Sequence, residues 1–411
     1  MYQGLGSYFS RNLYRATRNA VSVVLPLSLA VAALQAHAEQ PHNPELSAAH
    51  TPTKLSSSIS VQQMLGECLI VGFRGTSVTA DSPIIQSINQ YHLGGVILFD
   101  YDTPTQTFQR NIIDPEQTTQ LIADLKRYAN HPIWVAIDAE GGKVNRLKAR
   151  YGFKGTTIPS AWEVGQETLD EAYETYMGFA KTLYTMGFNL NFAPVVDLAR
   201  NADNPVIVRY GRSFGADPKK VAAYAQQFVR AHEHYHIATA LKHFPGHGSS
   251  TTDSHLDTVD ITKTFDGSEL TPYRLLIDAH AAPMVMTGHL FNQNWDTEYP
   301  ATFSRTILQT QLRNVLKYKG IIVSDDLHMQ AASMHRPPGE CALLALQAGV
   351  DLLIFSNNAP GQPYDEQLVE DVMRTLTKAL EDGTLSGVQA RHRYNALSEM
   401  KKRYIATSTG L

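Results

Sequence analysis

Cysteine is nearly absent from this chain. Only Cys68 and Cys341 occur in 411 residues, which excludes a disulfide-built scaffold, and no CxxC or Cys/His ligand spacing is present to form a structural zinc site. Both thiols lie in apolar segments far apart in sequence and are expected to be free and buried. A basic surplus is missing too: 35 Lys and Arg stand against 39 Asp and Glu, for a formal net charge of -4. Nucleic-acid binders usually carry a basic patch, so no nucleic-acid partner is expected, and a small neutral or weakly charged ligand fits better. No apolar run reaches the ~20 residues that span a bilayer. The run from Ala20 to Leu34 comes nearest and is interrupted by Pro26. No GxGxxG follows an early strand to bind a dinucleotide, and there is no repeat of solenoid period.

What is present divides into three parts. Residues 1–38 carry Arg11, Arg15 and Arg18, no acidic residue, the short apolar run and then Ala36-His37-Ala38. A basic head, a short apolar middle and a small-x-small site describe a secretory signal peptide. Cleavage is expected after Ala38, giving a periplasmic or secreted protein of formal charge -7 with no stable membrane insertion. An uncleaved N-terminal anchor is the alternative, and no cysteine stands at the site to take a lipid. Residues 39–58 are rich in Pro, Ser, Thr and His and read as a linker. From 59 to 405 a single domain is expected, since 43% of the chain is hydrophobic and a sizeable core can form.

Within that domain short apolar runs recur at 68–73, 95–99, 134–138, 189–193, 238–243, 284–287, 321–324 and 352–355. Amphipathic stretches lie between most of them, at 116–129, 168–186, 219–236, 305–318 and 338–348 among others. Continuous apolar runs are what strands buried on both faces require, and the stretches between supply crossover helices. The expected fold is α/β, a single (β/α)8 TIM-type barrel, with 386–404 as a C-terminal helix. An open doubly wound sheet is the competing arrangement. Polar residues cluster where the runs end: Asp138, Asp197, Lys242 with His243, His289 and Asp325. In a barrel these ends meet at one mouth, where active sites form.

Four segments carry chemistry. Lys242-His243-Phe244-Pro245-Gly246-His247-Gly248, followed by Asp253-Ser254-His255, leaves a strand and enters a loop rich in glycine, serine and threonine. Asp253 and His255 can face the same way in an extended segment, and an Asp beside a His suits a proton shuttle. The same residues, His243, His247, Asp253 and His255, are also possible metal ligands. Ser324-Asp325-Asp326-Leu327 ends an apolar strand in a carboxylate, as a nucleophilic Asp needs. Alternatively an Asp there caps the next helix, and with two in a row Asp325 can be the catalyst and Asp326 structural. In Asp138-Ala139-Glu140-Gly141-Gly142-Lys143-Val144-Asn145-Arg146 the glycines let the backbone turn beside a ligand. There Asp138 can accept from hydroxyls and Arg146 can donate, unless the segment is only a capped turn. Arg209-Tyr210-Gly211-Arg212-Ser213-Phe214-Gly215 gains interest only from the company of the other three.

Together the four segments resemble the family 3 glycoside hydrolases, in their β-N-acetylglucosaminidase branch, over residues 62 to 360. KHFPGHG followed after four residues by DSH is specific to that branch, and D-x-EGG-x-V-x-R, RSFG and SDDL match in the same order. The resemblance implies that Asp325 is the nucleophile, His255 the acid/base and Asp253 its assistant. It assigns Asp138, Arg146, Arg212, Lys242 and His243 to sugar binding, and it implies no metal and no other cofactor. The implied activity is a retaining exo-β-N-acetylglucosaminidase that releases terminal GlcNAc from peptidoglycan fragments or chitin oligosaccharides by double displacement. A phosphorylase, with phosphate in place of water, and a non-catalytic envelope sugar-binding protein are the alternatives. The chain departs from the usual pattern at Ala139, Lys143, Asn145 and His328, which bears on substrate preference. The exported leader departs from the cytoplasmic single-domain members.

Overall fold

The structure, a computed structural model, describes residues 59–155, 157–252, 259–333 and 336–405. The leader, the linker and the pair Asp253 and His255 therefore lie outside the described residues. Eight parallel strands close into a barrel in chain order. They are β1 (Leu69–Gly72), β2 (Gly95–Ile97), β3 (Trp134–Ile137), β4 (Leu190–Asn191), β5 (Ala238–Phe244), β6 (Met284–Thr287), β7 (Ile321–Asp326) and β8 (Leu352–Phe355), with β8 pairing back onto β1. Each falls within or across an apolar run of the sequence. Their side chains are almost wholly buried, because helices cover the outside and neighbouring strands fill the inside.

The crossover helices start and stop where local chemistry dictates. Asp114 and Asp217 cap helices Pro115–Tyr128 and Pro218–His234, each with proline in the first turn. Thr168 and Glu171 form a capping box on Leu169–Met186, and Gly187, at φ 95°, ends it. The stretch expected as a helix at 305–318 is helical over Ile307–Val315 but winds as a π-helix. The final helix, Gly387–Tyr404, ties to the N-terminal end of the barrel: Lys401 Nζ lies 2.6 Å from Glu67 and 2.9 Å from the Pro132 carbonyl.

β4 is only two residues long, although the apolar run has five. Asparagines take over the ladder there. The Asn189 side chain accepts from Val135 N–H and donates to the Ile133 carbonyl, and Asn191 does both with Ala139. Pro194 then has no N–H to continue the strand.

At the mouth, two strands each carry one extra residue. Between Leu241 and Phe244, β5 spends three steps where β6 spends two, from Val285 to Thr287. Between Val323 and Asp326, β7 does the same against Leu352–Ile354 of β8. Such bulges turn side chains that a regular pleat would point elsewhere. The residues so displaced are Lys242 with His243, and Ser324 with Asp325.

Both cysteines are free and buried. Burial pushes each thiol up to about 12. Among the described residues no helix is long and apolar enough to cross a membrane.

Candidate active site

The strand ends surround a cavity of about 280 Å3. Its floor is apolar, built from Ile97, Phe192, Met286 and Ile354, and its polar lining includes Asp138, Arg146, Asp325 and Ser356. Three of the residues expected from sequence, Asp138, Arg146 and Asp325, thus meet in one space. Asp325 Oδ1 accepts the Asp326 N–H at 2.8 Å. Asp326 differs: it accepts from the backbone N–H groups of Ser356 and His328, and its own carbonyl accepts from His289. Both aspartates border the cavity, and the second also ties β7 to β8.

Arg212, Lys242 and His243 stand just behind. Glu140, on the short strand Ala139–Gly141, accepts a fork from Arg212 at 2.7 and 2.8 Å and lies 2.7 Å from Lys242 Nζ. All three are buried. Burial alone would raise the Glu140 carboxyl, but the Arg212 and Lys242 charges outweigh it and hold it well below the usual carboxylate range. Burial opposes the charges of Arg212 and Lys242 as well, and Glu140 raises both above their ordinary values. Lys242 also reaches Asp138 Oδ1 at 3.2 Å, while Arg146 meets Asp138 Oδ2 at 3.5 Å. The cations are therefore paired and directed, not free.

A second buried acid orders the histidines. Asp197, fully buried after β4, faces His243 Nδ1 at 2.7 Å and accepts the His247 N–H at 2.8 Å. The His243 proton then belongs on Nδ1, which leaves Nε2 as an acceptor toward Arg212, 3.4 Å away. His247 Nδ1 lies 2.6 Å from Ser250 Oγ, and burial lowers its pKa to about 4. Both imidazoles of the KHFPGHG segment have an Nδ1 engaged by protein oxygen atoms.

The loop leading toward Asp253 is seated on Glu269. A Cβ on Gly246 would come within 2.7 Å of the Glu269 side chain, at a φ of 139°, and a Cβ on Gly248 would strike the Leu198 carbonyl at 1.7 Å. Only glycine permits that approach. Glu269 Oε2 accepts the Gly248 N–H at 3.1 Å. Burial raises this carboxyl to about 7, countered in part by its hydrogen bonds from Ser249 and Gly248.

These residues match the Glycosyl hydrolase family 3 N terminal domain over 61–394. The chain belongs to glycosyl hydrolase family 3. It is similar to the β-hexosaminidases of Tolumonas auensis, 36% identical over 275 residues (66% of this chain and 77% of that protein), and of Photobacterium profundum, 33% identical over 272 residues (66% and 76%). Among solved structures it resembles a family 3 β-N-acetylglucosaminidase from Paenibacillus sp. FPU-7, with 31% identity and a TM-score of 0.76. That likeness covers 86% of this chain and 64% of the Paenibacillus chain, so the present protein spans under two thirds of that relative. The β-N-acetylhexosaminidase of Beutenbergia cavernae is 26% identical with a TM-score of 0.69, over 86% of this chain and 99% of that one. This family 3 chain is accordingly a glycoside hydrolase of the β-hexosaminidase kind.

Three residues of the hydrolase site were not singled out by sequence: Glu140, Asp197 as the histidine anchor, and Glu269. A signal existed for the first. Asp138 and Glu140 are two apart in extended chain and so share a side. Nothing local marks Glu269, which arrives from the helix after β5. Among the described residues one set could offer three metal-binding atoms, Glu67, His92 and His131, at the opposite end of the barrel. The two imidazoles there stack at 3.7 Å, and Lys401 occupies Glu67.

Proposed function

We propose that this family 3 hydrolase is a retaining exo-β-N-acetylglucosaminidase. The observation that carries the reading is the cavity at the strand ends, closed below by barrel side chains, with Asp325 and the pair Asp138 and Arg146 together in its lining. A closed floor admits the end of a chain, and Asp138 and Arg146 supply the acceptor and donors that hold sugar hydroxyls. In the first step an Asp325 oxygen bonds to the anomeric carbon as the glycosidic C–O bond breaks. The bonding pair goes to the leaving oxygen, which takes a proton from His255. In the second step His255 takes a proton from water, the water oxygen bonds to the anomeric carbon, and the ester to Asp325 breaks, so configuration is retained. Asp253 tunes His255. An imidazole suits this role because its ordinary pKa of ~6.5 lies near neutrality. The substrate is a saccharide with a terminal β-linked GlcNAc, from peptidoglycan fragments or chitin oligosaccharides.

The test is release of product from p-nitrophenyl β-N-acetylglucosaminide, whose only sugar is the one transferred, followed by NMR in the first minutes, with and without phosphate. β-GlcNAc as the first product in either buffer supports the reading. The α-anomer, a sugar phosphate, or no release overturns it. Export also belongs to the proposal: the leader at 1–38 predicts a mature start at Glu39. An intact Met1 on protein recovered from the soluble cytoplasm of a native-like host would refute that part.

A further inference from the structure

One aromatic group borders the cavity without any part in the chemistry above. Tyr101, whose ring lines the cavity, begins a hairpin raised at the mouth end of β2, in which Tyr101–Asp102 pairs antiparallel with Thr107–Phe108. Tyr101 stands opposite Phe108, with ring centroids 5.0 Å apart, and Phe108 lies 6.5 Å from Tyr151. The rings therefore run outward from the cavity in a continuous line. Phe108 is 52% exposed, the most exposed aromatic side chain among the described residues. The Arg150 guanidinium covers one face of the ring, 4.5 Å from its centroid, which leaves the other face for a ligand. A lone exposed phenylalanine is ordinary on a protein surface, but this one belongs to a ring series that starts at the cavity.

The hairpin is also held rigidly. Asp102 takes a fork from Arg74 at 2.8 and 2.9 Å and a further bond from Arg110 at 2.6 Å. Asn358 accepts the Thr103 N–H and donates to the Tyr101 carbonyl, which ties the hairpin to the loop after β8 that also lines the cavity. Arg110 donates to the Asn357 carbonyl and reinforces the same joint. Packing for folding alone would bury the ring, whereas this framework presents it at a fixed place beside the cavity. Phe108 does not itself line the cavity, but its ring meets that of Tyr101, which does; the other exposed aromatics, Trp162 and Tyr210, neither line the cavity nor stack on a ring that does.

We propose that Tyr101 and Phe108 form the platform that receives the sugar on the leaving side of the scissile bond, with the apolar face of a pyranose ring stacked on Phe108. This rests on the glycosidase reading above and adds where the aglycone sits. Rigid aromatic surface contributes affinity at small ordering cost, and stacking adds to plain area burial. A substrate whose leaving group has no ring gains nothing from it.

The test compares chitotriose with N-acetylglucosaminyl β-fluoride, whose leaving atom is too small to touch the hairpin. In Phe108→Ala the ratio of kcat/KM for chitotriose to that for the fluoride should fall about tenfold, as expected for loss of one stacked ring. In Phe108→Trp the ratio should stay within about twofold of wild type. A ratio in Phe108→Ala within threefold of wild type, or an equal fall in both variants, overturns the platform. Failure of the wild-type enzyme to hydrolyse the fluoride would instead overturn the glycosidase reading, so the two failures are distinguishable.

Discussion

Glu140→Gln should be a costly single-atom change for the stability of the site, and for electrostatic reasons. The carboxylate is 6% exposed and stands between two cations that are equally buried, with contacts of 2.7 and 2.8 Å to Arg212 and 2.7 Å to Lys242. An amide keeps one acceptor oxygen but in either orientation turns its NH2 group toward Arg212, which both carboxylate oxygens face. Breaking a buried pair by removing one partner typically costs ~3–5 kcal/mol, because a charge is left without its counterion. Asp138 still shares Lys242, so a value near ~3 kcal/mol, the low end of that range, is expected. Urea unfolding at neutral pH reads it as a lower midpoint at unchanged slope. The pH dependence has a definite sign. Because the folded-state carboxyl is held below its ordinary value of 4.5, its contribution is present above that value and is lost as the pH falls through the depressed one. The gap between wild type and variant should therefore be flat from neutral pH down to about 5 and shrink in acid. Activity should fall as well, by ~10^2 if the released cations shift Asp138 by about an ångström. A stability loss below about 1 kcal/mol, against the ~3–5 expected for a buried pair, would mean that the triad is not a charge-paired unit, and the reasoning would fail.

Asp325→Ala should abolish turnover of chromogenic β-N-acetylglucosaminides while circular dichroism stays unchanged; residual activity above a hundredth of wild type would remove Asp325 as nucleophile. His255→Ala should lose ~10^2–10^4 in rate on chitobiose, the usual worth of general acid–base assistance, and much less on the β-fluoride, with Asp253→Ala a weaker copy. Equal losses on both substrates would make His255 a binding residue. For Glu269 the folded value is raised from 4.5 to about 7 by burial, so its favourable contribution is full below about 4.5 and declines as the pH rises through 7. Glu269→Gln should remove that slope and narrow the stability gap between pH 5 and pH 8; a slope identical to wild type in urea titrations would show that another group causes it.

The barrel was legible because its elements obey simple rules. A parallel strand buried on both faces has to be continuously apolar, and all eight runs carry such a strand. The helix at 168–186 shows its period and its glycine stop plainly, and the one at 338–348 its glycine stop. Other features depend on partners distant in sequence. The two-residue extent of β4 follows from asparagine side chains bonding to β3. The π-winding at Ile307–Val315 leaves no periodic trace that separates it from an α-helix. Hairpins of two-residue strands, such as the one bearing Phe108, are too short for an alternation to register. The same division holds at the site. Asp138, Arg146 and Asp325 sit at strand ends, and sequence position alone brings them to one mouth. Glu269 and Asp197 matter through what they seat, the Gly246–Gly248 turn and the His243–His247 pair, and neither partnership can be read along the chain.

The pair Asp138 and Glu140 shows why two neighbouring carboxylates take different work. Both follow β3 and both meet Lys242. Glu140 has both oxygens committed to cations at 2.7–2.8 Å and is 6% exposed, so it has little acceptor capacity left for a ligand. Asp138 is held by longer contacts of 3.2 and 3.5 Å, and its side chain is 20% exposed into the cavity. A carboxylate has about four acceptor sites, and those of Asp138 that face the cavity remain for incoming hydroxyls. Were the roles exchanged, a ligand would have to break short, buried ion pairs to bind. Glu140 neutralises the cations and thereby fixes Lys242, Lys242 orients Asp138, and on the function proposed above Asp138 is the carboxylate that meets the sugar. The charge that holds the site together is in this way kept apart from the charge that the substrate touches.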